Sequence, residues 1–235
     1  DNPFALPKMS SMAKAISKHN CVASVELQHG GMFSHYVYEQ GNPLLGPVDM
    51  KIPDEHAINN DGHEVAVSSD GFRYIHEMSE EQILALIESF GKAARFAKQC
   101  GFGMVMIHAG HGWALAQFLS PHLNTRKDKW GGSLENRMRL PLAVVESVRK
   151  AVGPGFPIEM RISGAECTES GYDIDEGIRI AELFDGKVDL IHVSAGHHES
   201  TYASMITFPS MFSEEGCNVH YAAEVKKHVK TPVAT

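Results

Sequence analysis

Residues 103–109 read Gly-Met-Val-Met-Ile-His-Ala: six small or apolar residues around one histidine, followed by Gly110 and His111. A run this short and this nearly continuous in apolar character predicts a strand covered on both faces, as in a parallel sheet. Three further runs have the same character: 22–28, 157–163 and 188–195, with 231–235 as the start of a fifth. Helical patterns lie between them. Ser79 followed by Gln82 makes a capping box, and Ile83, Ile87, Phe90, Ala94 and Ala97 form a stripe behind it. Residues 141–152 carry Val145, Val148 and Val152 and stop at Gly153, a C-terminal cap. Asp175 is placed to cap a helix using Ile178 and Ala181; Ala222, Val225 and Val229 stripe another; residues 9–19 suit a first helix.

Alternating strands and helices predict an α/β fold, either an open doubly wound sheet or a (β/α)₈ barrel. No G-x-G-x-x-G follows any strand, so a dinucleotide-binding Rossmann unit lacks its signature. The connection from Phe33 to His76 is rich in Gly, Pro, Asp and Asn and reads as a long functional loop. At 235 residues the chain is near the size of one barrel, and a single domain over 1–235 is expected.

Composition narrows the partners. A net charge of −8 argues against nucleic acid or an anionic membrane surface. No apolar run reaches the roughly 20 residues needed to span a bilayer. Cys21, Cys100, Cys167 and Cys217 have no paired spacing for zinc or an iron–sulfur cluster, and free thiols suit a cytoplasmic protein.

Chemistry collects at the strand ends. His29 and His108 close the first two strands, His111 lies just beyond the second, Arg161 is near the end of the third, and His197 and His198 follow the fourth. In a barrel these ends form one rim, the active-site face. Each histidine alone is as well explained by a capping or hydrogen-bonding role as by catalysis. Four successive strands aiming imidazoles or a guanidinium at one rim favour a functional site. Zinc is a poor fit, because a fixed guanidinium beside a dication is unfavourable. Arg161 suits an acceptor that gains negative charge, as a reduced flavin does at its pyrimidine edge.

The stretch His108-Ala-Gly-His-Gly-Trp-Ala-Leu-Ala-Gln-Phe-Leu-Ser-Pro121, with Asn124-Thr-Arg126, Asp128 and Trp-Gly-Gly-Ser-Leu-Glu-Asn136-Arg137 after it, resembles the signature of the Old Yellow Enzyme superfamily. The likeness extends more loosely from the first helix through Pro232. It is similar to the bacterial branch of 2,4-dienoyl-CoA reductases, 2-enoate reductases, bile-acid and steroid enone reductases, and trimethylamine dehydrogenase.

The resemblance implies a (β/α)₈ barrel represented by strands three to seven. Strands one, two and eight are then missing, together with the loops that grip the FMN phosphate, so residues 1–235 alone are expected not to retain FMN. It implies an FMN-dependent ene-reductase passing hydride from NAD(P)H to the C=C bond of a small unsaturated carbonyl substrate. A 4Fe–4S cluster and FAD belong to larger members, beyond this segment. A homo-oligomer is left open.

Carried over residue by residue, His108 and His111 match the pair that holds the substrate's activating oxygen, and Arg161 the arginine at the flavin edge. Glu26 stands where many relatives have a flavin-binding glutamine, and His29 lies on the same cofactor side. Trp113 replaces a tyrosine that acts as proton donor. An indole N–H is not a usable acid, so either His198, with Glu199 to hold its charged form, or solvent delivers the proton, or the reaction differs. The Asn124–Arg137 block reads as a loop brace rather than chemistry. An amine dehydrogenase, which Trp113 favours through cation–π attraction, and a flavin-free non-catalytic segment are the alternatives.

Overall fold

A computed structural model describes residues 4–34, 37–38, 40–53, 71–198 and 201–235. The strands are β1 (Ser24–Leu27), β2 (Leu44–Gly46), β3 (Met50–Pro53), β4 (Phe72–Glu77), β5 (Met104–Ala109), β6 (Ile158–Ser163), β7 (Leu190–Ser194) and β8 (Val233–Ala234). The helices are α1 (Ala5–Ser17), α2 (Glu80–Gln99), α3 (Ala114–Leu119), α4 (Leu134–Arg137), α5 (Arg139–Val152), α6 (Ile174–Phe184), α7 (Thr201–Thr207) and α8 (Val219–Lys226).

Five strands pair in parallel in the order β1-β5-β6-β7-β8. All five lie within, or begin inside, the apolar runs read from the sequence. The order follows the chain, as successive units of a (β/α)₈ barrel require. The two faces of the sheet differ sharply. Val105, Ile107, Ile158, Met160, Ile162, Ile191 and Val193 are in register on one face and fully buried among the helices. The other face carries Glu26, His108, Glu159, Arg161, His192 and Ser194. Period-2 alternation thus separates a core from a chemical surface.

The capping box at Ser79 is present, with Gln82 N donating to Ser79 Oγ and Ser79 N to Gln82 Oε1. Helix α5 ends at Gly153, whose φ of 89° lies in the left-handed region. Two expectations are corrected. Asp173, not Asp175, caps α6: its carboxylate accepts from Glu176 N, and Asp175 falls in the first turn. The connection from Phe33 to His76 is not all loop. Its described residues include β2, β3 and β4, a small sheet in the order β2-β4-β3. Leu44 and Ile75 of this sheet bury against Met32, in the turn after β1, and Leu123, just beyond α3. Among the described residues no helix is long and apolar enough to cross a membrane.

Candidate active site

The rim begins with a turn that needs an unusual backbone. His111 has φ of 57° and Gly112 of 83°, both left-handed. For a histidine this conformation is disfavoured and must be held by its surroundings. His111 N donates to Ser163 Oγ (3.0 Å), His111 O accepts from His198 N (3.2 Å), and Gly112 O accepts from Gln117 Nε2 (2.7 Å). A side chain at 112 would collide with the His197 ring, 2.4 Å from the position of its Cβ, so only glycine fits.

Held this way, the His111 imidazole joins a chain of side chains drawn from four strands. Its Nε2 lies 2.8 Å from Ser194 Oγ, and its Nδ1 3.3 Å from His108 Nε2. His108 Nδ1 contacts Glu26 Oε1, and Glu26 Oε2 lies 3.4 Å from Arg161 Nη1. One proton arrangement satisfies the chain with neutral imidazoles: Ser194 donates to His111, His111 to His108, and His108 faces the Glu26 carboxylate. Burial, with help from the Arg161 charge, pushes the His111 pKa down to about 2, so this ring is neutral at working pH. The His108 contact, followed by Arg161 and His192, holds the Glu26 carboxyl below the usual range against the opposing effect of burial. Glu26 is therefore an anion.

Arg161 is lightly committed. Its contact with Glu26 is long, and its buried Nε–H has no hydrogen-bond partner among the described residues. His29 accepts from Gly31 N at Nδ1 (3.1 Å), leaving Nε2 as the protonated nitrogen of the neutral ring. Burial lowers its pKa.

Above the histidine chain, aromatic rings gather from three loops. Trp113 packs edge-on against His198 at 4.9 Å and Phe33 at 6.4 Å, and His198 leans on Phe208 at 5.4 Å. The sequence places His198 on this rim as a near-neutral acid, and its position agrees. Its titration does not: burial lowers its pKa, so less imidazolium exists at pH 7 than for a free histidine. Glu199, considered as its partner, lies outside the described residues.

Several organising residues escape a reading of the sequence. Gln117, fully buried, bridges the two rim loops by donating to Gly30 O and Gly112 O and accepting from Met32 N. Ser194 and Ser163 hold the two ends of His111. Glu166 sits buried behind them, accepting from Ser120 Oγ and Tyr172 N, with Oε1 4.0 Å from His197 Nε2. A lone glutamine in an apolar helix is the only advance signal among these.

The model of the NADH:flavin oxidoreductase / NADH oxidase family matches residues 5–235. The chain belongs to that family. It is 41% identical to an NADH oxidase of Thermoanaerobacter brockii over 160 residues, covering 68% of this chain and 24% of that protein. It is 32% identical to an N,N-dimethylglycine/sarcosine dehydrogenase of Chromohalobacter salexigens over 232 residues, 97% of this chain and 31% of the relative. A solved 2-naphthoyl-CoA reductase in complex with 2-naphthoyl-CoA matches with a TM-score of 0.80 and 29% identity, over 99% of this chain and 34% of its own. The chain thus spans about a quarter to a third of these relatives. The likeness bears out the partial (β/α)₈ barrel expected from the sequence.

The donor set suits a flavin's pyrimidine edge. Arg161 keeps an unspent buried N–H, His29 keeps Nε2–H, and ionised Glu26 can accept from an imide N–H. Where a glutamine could donate, an ionised Glu26 could only accept.

Proposed function

We propose that the protein is an FMN-dependent oxidoreductase that uses NAD(P)H to reduce the C=C bond of an enone, enoate or enoyl thioester. The observation that carries this is Arg161: a cation with a buried N–H left unused, on the same rim as a chain of hydrogen-bonded histidines. A flavin held there supplies hydride transfer between the nicotinamide and the alkene. The protein's own residues do the rest. Arg161 would face the electron-rich edge and His29 would flank it. His108 and His111 would orient the substrate's carbonyl oxygen, with one ring exchanging its present protein contact for that oxygen. In the proton arrangement above, the donor such an exchange would free is His111 Nδ1–H, now turned to His108 Nε2, since His111 Nε2 accepts from Ser194. Trp113 and Phe33 would wall the site from water. The proton for the α-carbon comes from His198, directly or through water, or from solvent.

A second reading has its own support. Aromatic rings around Trp113 suit an alkylammonium group through cation–π attraction, and a dehydrogenase named for N-methylated amino acids is among the similar proteins. Anaerobic half-reactions separate the two. For the ene-reductase, NAD(P)H bleaches the yellow holoenzyme and an enone or enoate restores the colour, while tertiary amines do nothing to the oxidised form. Bleaching by an amine, with no reoxidation by any activated alkene, establishes the dehydrogenase instead. A full-length protein that purifies colourless and takes up no added FMN eliminates both.

A further inference from the structure

Glu26 is an acid placed where the chemistry of the rim calls for donors. Its two oxygens are divided between His108 Nδ1 and Arg161 Nη1. On the polar face of the sheet the next acid, Glu159, is buried and turned to His192 Nδ1 at 3.0 Å. Among the described residues, Glu26 is therefore the carboxylate that faces Arg161. A guanidinium and a carboxylate in contact present almost no net charge to a third group, whereas a lone guanidinium presents a full one. The half-buried setting makes this difference count for more than it would in water.

We propose that Glu26 sets the reducing power of the bound flavin by offsetting the Arg161 cation. The reduced cofactor, which concentrates negative charge near Arg161, is then stabilised less than it would be with a neutral side chain at position 26. Glu26 acts through Arg161 and is a positioning residue, not a catalytic one. Its second contact, to His108, ties the same charge to the substrate-facing histidines, so one carboxylate biases both halves of the site. This inference rests on the flavin reading above.

The test is the flavin midpoint potential of the holoenzyme, measured by dye equilibration for wild type, Glu26→Gln and Glu26→Asp. Glu26→Gln removes the charge at constant shape. Its potential should move positive by at least a tenfold change in the redox equilibrium, about 30 mV for a two-electron couple. Glu26→Asp keeps the charge and should stay closer to wild type. A merely structural Glu26 would alter melting in both variants and leave the potential in place. A Gln variant within about threefold of wild type in that equilibrium overturns the inference while the flavin reading stands. Wild-type protein that binds no flavin overturns both. Should the variants fail to fold, ¹⁵N NMR of wild type decides the pairing: His108 should carry its proton on Nδ1, and a bare Nδ1 refutes the arrangement.

Discussion

The buried Arg126 and Arg137 and the half-buried Arg161 are built on opposite plans. In the loop after β5, Arg126 spends its donors on Asp128, Glu77 and the carbonyls of Pro47 and Met78. Arg137 spends its own on Gly132 O, Leu119 O and Glu176. Asn124 beside them donates to Phe118 O and Trp130 O. These side chains cross-link backbone that would otherwise bury unsatisfied carbonyls. Among the described residues Arg161 has one long contact and an idle N–H. A saturated arginine holds the fold, and an unsaturated one at a rim is kept for something else.

The comparison can be strained first at its structural end. Arg137→Ala should cost about 3–5 kcal/mol of stability, because it leaves Glu176 and two carbonyls without a partner. Chemical denaturation measures this, and a loss under about 1 kcal/mol would mean the brace is ornamental. On the chemical side, replacing both His108 and His111 with Ala should slow alkene reduction by on the order of 10²-fold. Flavin reduction by the nicotinamide should barely change. Equal loss of both half-reactions would move the histidines into the structural class.

A subtler effect concerns pH. His111 is buried neutral, with its folded pKa pushed down to about 2 from an ordinary value of 6.5. The unfolded chain therefore takes up a proton that the folded one refuses, and stability falls as pH drops below about 6.5. One such group contributes up to about 1.4 kcal/mol per pH unit. His111→Asn should flatten the unfolding free energy between pH 6.5 and 5 by roughly that slope. An unchanged slope would show that the ring is not held as described. The smallest effect is expected at His198. With its pKa lowered, His198→Ala should slow alkene reduction by less than about tenfold at pH 7 and by more as pH falls. A pH-independent loss would assign it a packing role beside Trp113.

Much of this architecture is legible in the chain, for identifiable reasons. Strands β5, β6 and β7 announce themselves because one face must be apolar throughout, and helices α2 and α5 because Ser79 and Gly153 carry unambiguous end chemistry. The small sheet is hidden because β2 and β3 are three and four residues long and lie among Gly and Pro. Asp173 and Asp175 are equally good caps on paper, and only the path of the backbone chooses between them. In the site, His29, His108, His111, Arg161 and His198 are visible as strand-end residues. Ser194 and Gln117 are not, since their contacts reach across 83 to 87 residues. Nor does sequence reveal that burial lowers the His111 and His198 pKa values, because that depends on what packs above them.

Arg161 is the decisive side chain, and a paired measurement on Arg161→Ala tests its role most directly. Flavin binding is titrated in the full-length protein, and unfolding is followed in the same preparation. FMN affinity should fall at least tenfold, or any flavin retained should have a more negative midpoint potential, while the denaturation midpoint stays near wild type. An Arg161→Ala protein that binds flavin normally at an unchanged potential, yet unfolds as readily as Arg137→Ala, would contradict that role.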